Sequence, residues 1–181
     1  NVAAGKESLF YNTTGDDNIA IGNQALTTNT TGASNIAVGT NALTANTTAD
    51  DNIAIGHNTL SANTTGTRNI GIGRGAYYGS DTENDNIAIG YNAMTTNTAG
   101  GTKNIAIGNY SLDALTSGDG NTAVGMETLS ATNTGRHNTA VGYRTLYTNT
   151  SGDNNVAAGK ESLFYNTTGD DNIAIGNQAL T

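Results

Sequence analysis

The chain has 181 residues, 24 of them glycine, with no proline, cysteine or tryptophan. Seven Lys and Arg stand against fifteen Asp and Glu, a formal charge of −8, which argues against nucleic acid or an anionic membrane as a partner. No stretch approaches the roughly 20 apolar residues of a membrane span, and without cysteine nothing marks a redox compartment.

The first five residues, "NVAAG", set a phrase that returns to the end of the chain. Asn-(Ile/Val/Thr)-(Ala/Gly)-(Ile/Val/Ala)-Gly begins at Asn1, Asn18, Asn35, Asn52, Asn69, Asn86, Asn104, Asn121, Asn138, Asn155 and Asn172. The spacing is 17 residues, except for one unit of 18 that begins at Asn86. Self-similarity at a short fixed period means a quasi-one-dimensional array, in which each unit packs only on its neighbours. Low hydrophobicity alone would suit disorder, but disorder does not keep an apolar phrase at strict intervals.

Within a unit, count the anchoring Asn as position 1. Positions 2 to 4, such as Ile19-Ala20-Ile21, alternate with period two and are rich in β-branched residues, so they predict a strand. Both of its faces are uncharged, which predicts burial on both sides. Position 5 is always glycine and predicts a turn. Position 9 is large and apolar, as at Leu26, Leu60, Tyr77 and Met94, and follows Ala, Ser or Thr; this pair predicts a second short strand folded over the first. Positions 12 to 15, usually "NTTG", predict the return turn. Seventeen residues are too few for a helix pair, and glycine with β-branched residues costs each helix about 1 kcal/mol or more.

The expected fold is therefore all-β: a parallel β-solenoid of 17-residue coils stacked about 4.8 Å apart. Residues 1–181 form one continuous array with no domain boundary. Its single surplus residue is expected in the stretch Ala99–Lys103, bulging outward near Gly100-Gly101 without shifting the ladder. Position 1 predicts a ladder of stacked asparagine amides. Charges at positions 16 and 17 alternate in sign along successive coils: Asp50-Asp51, Arg68, Asp85, Lys103, Asp119, Arg136, Asp153. Like charges stacked at coil spacing would repel, so the alternation itself implies spatial neighbours; Asp153 followed by Asp170-Asp171 breaks it.

Residues 155–181 restate residues 1–27 without change. The array thus carries a 154-residue super-repeat, 1–154, which restarts at 155 and would advance about 43 Å over nine coils. The Phe10-Tyr11 and Phe164-Tyr165 pairs are expected to mark equivalent surface bands. Because the chain opens without methionine and stops mid-repeat, it is expected to be a window of a longer array, any leader or anchor lying outside it.

Site-like residues are few. The sequons at Asn12, Asn29, Asn46, Asn63, Asn109, Asn149 and Asn166 read as turn residues, with glycan attachment the alternative. The pairs Asp16-Asp17, Asp50-Asp51 and Asp170-Asp171 read as solvated loops rather than calcium ligands, since the glycine-rich calcium nonapeptide is missing. His57 and His137 occupy different repeat positions without a partnering cluster. No catalytic constellation or phosphate loop stands out, so no catalytic, cofactor or metal residue is assigned and no enzyme is expected. Thr28-Asn29-Thr30, Thr96-Asn97-Thr98 and Thr148-Asn149-Thr150 resemble ice-binding ranks, but Ala45 and Ala62 interrupt them.

"NIAIG" at Asn18–Gly22 with Ala25-Leu26, and its equivalents along the chain, resembles the head repeats of trimeric autotransporter (YadA-like) adhesins. Similar Asn/Thr/Gly arrays occur in phage tail fibres and other large bacterial surface proteins. The resemblance implies a left-handed parallel β-roll assembled as a homotrimer; the family's repeat is shorter, and this one adds an Asn/Thr-rich turn at positions 10 to 14. The expected function is a structural segment of an extracellular or cell-surface fibre or filament, adhesin-like and self-associating, with a surface glycan or protein as possible receptor. The alternatives are a carbohydrate-binding or ice-binding surface, or a tail-fibre shaft. Exposed residues such as Tyr91, Tyr143 and Arg144 are where a binding surface would differ from a passive one.

Overall fold

The structure is a computed structural model that describes residues 1–79, 81–96, 100–132 and 134–181. Eleven strands follow one another: β1 (Val2–Ala4), β2 (Ile19–Ile21), β3 (Ile36–Val38), β4 (Ile53–Ile55), β5 (Ile70–Ile72), β6 (Ile87–Ile89), β7 (Ile105–Ile107), β8 (Thr122–Val124), β9 (Thr139–Val141), β10 (Val156–Ala158) and β11 (Ile173–Ile175). They form a single sheet in strict sequence order, every pair parallel and in register, Ile19 beside Ile36 and Ile36 beside Ile53. This is a β-solenoid, one strand per coil. Ten steps at about 4.8 Å give it a length of roughly 48 Å.

The asparagines at position 1 hold each coil shut and join it to the next. At every step the backbone N–H of one asparagine donates to the side-chain oxygen of the asparagine one coil earlier, from Asn18 on Asn1 to Asn172 on Asn155, at 2.8–3.0 Å. The amide nitrogen of the same side chain reaches across its own coil to the carbonyl at the far end. Asn35 donates to Ala49 and Asn52 to Gly66, both at 2.8 Å. Most of these asparagines are fully buried, a position tolerable only because each polar atom has a partner. A second ladder runs through position 12. Asn29 donates to Asn12, Asn46 to Asn29 and Asn63 to Asn46, and each also bonds the carbonyl three residues on. Leu115 and Thr132 replace asparagine in this ladder and are buried there. The Thr132 hydroxyl finds no partner among the described residues.

The lumen is narrow, and alanine fills it on the strand side. Ala20, Ala37, Ala54, Ala88 and their equivalents beyond the first coil are buried, facing the position 9 side chains Leu26, Leu43, Leu60 and Met94. The larger Ile and Val at positions 2 and 4 point outward, and Ile21, Ile55 and Val141 are 40–44% exposed. Burial on both strand faces is therefore corrected for the single chain: only the alanine face is enclosed. Tyr77 takes the leucine place in one coil, where its hydroxyl accepts from the Asn86 side chain.

The second strand at positions 8 and 9 is corrected too. Positions 5 to 8 and 9 to 12 are two successive tight turns, closed by Ala25 N–H on the Gly22 carbonyl and Asn29 N–H on the Leu26 carbonyl. Leu26, Leu43 and Leu60 adopt φ of 50–51°, as do their counterparts in other coils within a few degrees. This left-handed conformation disfavours a leucine by roughly 1–2 kcal/mol. Full burial of a leucine side chain returns roughly 1.5–3 kcal/mol, so packing decides the conformation. Alternate turn residues still bond to the neighbouring coil, Leu26 N–H to the Ala42 carbonyl at 3.0 Å.

The surplus residue of the Asn86 coil leaves the ladder intact. Ile87 pairs with Ile105, and Asn104 N–H meets the Asn86 side chain at 2.9 Å. Gly101 stands in the carbonyl role that Ala49 and Gly66 play elsewhere, accepting from Asn86 at 2.9 Å. The extra residue therefore precedes Gly101. Gly100 is exposed with open space beside it; Ala99, part of the same expectation, lies outside the described residues.

Position 5 requires glycine for two reasons at once. Gly39 has φ +136°, and a Cβ there would lie 2.5 Å from the Gly56 carbonyl oxygen of the next coil. Gly39→Ala is expected to break the stack at that coil, read as a loss of amide-exchange protection centred on β3 and β4. Asn52→Ala leaves the Asn69 N–H, its partner at 2.9 Å, unpaired in the lumen and takes from the Gly66 carbonyl one of its two donors, the Asn63 amide remaining. Each unpaired group costs about 1–3 kcal/mol. Urea denaturation is expected to show that loss, while Thr48→Ala, exposed on the loop, stays within about 0.5 kcal/mol of the parent.

Candidate functional site

Stacking identical positions sorts the surface into three strips by chemistry. Positions 2 and 4 give the uncharged Ile/Val strip on the sheet. Positions 13, 14, 16 and 17 give a strip of Thr, Asn and Asp. Positions 6, 7, 10 and 11, carried by the two tight turns, are the variable strip. Nine of the ten aromatic side chains of the sequence fall on that last strip, the tenth being buried Tyr77.

The charged loop strip behaves as a mutual support. Arg68 grips Asp85 of the next coil with two bonds of 2.6 and 3.0 Å, and this contact holds the Asp85 carboxyl below its ordinary range. Arg136 lies 3.7 Å from Asp119. Position 16 carboxylates do a further job: each caps the backbone N–H one coil back. Asp50 accepts from Ala33, Asp119 from Thr102, and Asp153 from Arg136, at 2.7–2.9 Å. The break in sign alternation at Asp153 and Asp170 has the same cause, since Asp170 accepts the Asp153 N–H at 2.7 Å. No group of three or more His, Asp or Glu poised for a metal occurs among the described residues.

The sequons and threonine ranks turn out to be occupied by the fold itself. Asn29, Asn46, Asn63 and Asn149 are fully buried in the position 12 ladder, so their amides face the lumen rather than a glycan. Asn12 and Asn166 belong to the same ladder near its ends. Asn109 differs: it is exposed on the variable strip and accepts the Tyr91 N–H. The Thr28 and Thr30 hydroxyls donate to carbonyls of the next coil at 2.6 and 3.0 Å, as do Thr148 and Thr150 at the same distances. Hydroxyls spent this way are poor ice ligands. Thr96 likewise donates to the Asp113 carbonyl of the next coil; Asn97 and Thr98 of the same rank lie outside the described residues.

The variable strip is where ligand chemistry gathers. Tyr147 and Phe164 stack at 5.1 Å with planes 13° apart, and Tyr165 meets Phe164 edge-on at 4.8 Å and 76°. Arg144 lies over the Tyr143 and Tyr147 rings at 5.2 and 5.5 Å and bonds Glu127 at 2.6 Å. Tyr91 and Tyr110 meet edge-on at 5.3 Å, with Arg74 6.0 Å from the Tyr91 ring and His57 close by in the same shallow groove. Phe10 and Tyr11, 63% and 58% exposed, repeat the Phe164-Tyr165 geometry at 4.9 Å and 89°. Tyr91, Tyr143 and Arg144 do sit on this surface; sequence reasoning missed that the other exposed aromatics join them. Tabulating aromatics by repeat position carries that signal.

Asp113, half-buried under this strip, has its carboxyl pushed up by burial although the Ser130 hydroxyl bonds it. Comparisons with protein-family models, with curated proteins and with solved structures find no match for the chain.

The two aspartates differ in sign, and that difference is measurable. A raised carboxyl such as Asp113 favours the fold below its unfolded pKa and loses that contribution as pH rises through the folded value. A lowered one such as Asp85 contributes above its unfolded pKa and loses it as pH falls through the folded value. Carbon-detected NMR on acidification is expected to show Asp113 taking its proton before Asp85, and Arg68→Gln is expected to bring Asp85 back to the ordinary carboxylate range.

Proposed function

We propose that this chain is a structural β-solenoid segment of an extracellular or cell-surface fibre, adhesin-like, which self-associates as a homotrimer through its Ile/Val strip. The observation that carries this reading is the outward ladder of positions 2 and 4. Eleven parallel strands in register lay mostly Ile and Val side by side along the sheet, with Thr122, Thr139, Ala4 and Ala158 the exceptions and no charge among them. Three residues of strand by ten coil steps make a face on the order of 500 Å². A contiguous apolar strip of that size matches the largest patch on a typical monomer, and such patches are often functional.

The flatness of the strip suits a second copy of the same strip. Stacked coils present one spacing, so chains aligned along their axes bring uncharged, mostly Ile or Val side chains together coil after coil, and the gain grows with the number of coils. Three chains is the number that the resemblance to autotransporter heads supplies. The 154-residue restart supports length as the selected property, since the array repeats as a block and not only as a coil. The threonine and asparagine groups are bonded within the fold, which favours this reading over an ice-binding one.

The test is to change the strip alone. In light scattering at micromolar concentration the parent chain is expected to give a trimer mass. Ile36→Asp with Ile53→Asp and Ile70→Asp, all outward and partly exposed, is expected to give a monomer that keeps its β circular dichroism. A parent of monomer mass at those concentrations overturns the assembly.

A further inference from the structure

We infer that the Phe-Tyr corners of the variable strip are binding sites for neutral pyranose sugars, one for each 154-residue super-repeat. The corner is built twice from the same residues. At one place Phe164 and Tyr165 meet Glu161, Gln178 and Thr181 around a groove of about 310 Å³ that Arg144 closes. At the other, Phe10 and Tyr11 meet Glu7, Gln24 and Thr27 around one of about 470 Å³. Both fall in the size range of small-ligand sites.

The shape follows from a step in side-chain size. Position 10 is Phe in each of these coils and Thr in the next, so the ring has no aromatic neighbour on that side and a notch opens beside it. The two rings stand near right angles in both copies and give the notch two apolar walls. Its polar edge is fixed in advance. Gln24 donates to Glu7 at 2.7 Å and Gln178 to Glu161 at 2.9 Å, and these bonds hold both carboxyls below their ordinary range. Lys6 and Lys160 lie 3.4 and 3.6 Å from the other oxygen of each carboxylate.

That combination selects the ligand class. A lipid or wholly apolar peptide would cover the rings but desolvate an ionised carboxylate and an amide without replacing their hydrogen bonds. A polyanion meets a chain of net charge −8 and corners whose cations are already paired, each lysine with its glutamate and Arg144 with Glu127. A pyranose offers an apolar C–H face to a ring and paired hydroxyls to a carboxylate and an amide. Its neutrality suits a corner in which one lysine offsets one glutamate. Every wall of each corner comes from one chain, so the site stands whether or not the Ile/Val strip assembles, and the two ideas fail separately.

The experiment titrates the 181-residue chain with hexaoses of glucose, galactose, mannose and N-acetylglucosamine, followed by aromatic carbon–proton NMR. An apolar peptide and vesicles of anionic lipid serve as competing probes. At least one hexaose is expected to shift the Phe and Tyr ring signals of both corners, with a Kd on the order of 1 mM or below. Phe164→Ala with Tyr165→Ala is expected to halve the stoichiometry, and adding Phe10→Ala with Tyr11→Ala to abolish binding. E7Q with E161Q, which leaves the apolar walls in place, is expected to weaken binding at least several-fold. No shift with any hexaose at roughly 10 mM, shifts that survive all four alanines, or a response only to the peptide or vesicles overturns the inference.

Discussion

One side chain per coil holds this molecule together. The position 1 asparagine accepts the N–H of the next coil's asparagine and donates across its own coil to the carbonyl that ends it. It is a closure and a splice in one residue. Any other side chain of that volume lacks either the acceptor or the donor. Once this residue is fixed, the lumen width is fixed, because the amide spans it. In most coils a lumen that narrow holds a methyl group on the strand side and one side chain of leucine or methionine size opposite, Tyr77 entering in the coil that carries Gly71 in place of alanine. The alanine row and the left-handed leucines are consequences of that span.

The same constraint decides which face meets the outside. With alanine turned inward, alternation turns Ile and Val outward, and the strand cannot do otherwise without a register slip of one residue. Polarity therefore divides along the axis into strips. The sheet strip is apolar and monotonous, which suits contact with copies of itself. The turn strip is free of the ladder's demands, so its side chains vary from coil to coil. The loop strip carries charges, yet its carboxylates also cap backbone groups, which explains why two aspartates can follow one another there.

Period, strand position, parallel register and the asparagine ladder were all legible in the sequence. They depend on which residue types recur, and recurrence is visible without a structure. The lumen side was not legible at Ile19 and Ile21, because β-branched residues look like core by hydropathy, and only the amide span shows that the core has no room for them. The turn at Leu26 was hidden for a different reason. A leucine at positive φ contradicts its local preference, and only burial of its side chain reverses the balance. At the candidate site, Phe10-Tyr11 and Phe164-Tyr165 stood out as pairs, and Tyr91, Tyr143 and Arg144 as exposed. Their gathering on one strip was not seen, since it needs the coil path that brings positions 6, 7, 10 and 11 to the same side.

Coil-to-coil bonding also sets how such a chain meets a pull. Tension applied through its two ends runs along the stacking axis and loads the outermost coil first, because each coil is bonded only to its neighbours. Releasing one coil frees 17 residues, a contour of roughly 55–60 Å, where the folded coil had spanned about 4.8 Å. The array is thus a reel: it yields from its end, coil by coil, paying out more than ten times its folded length, while the coils still wound keep their shape.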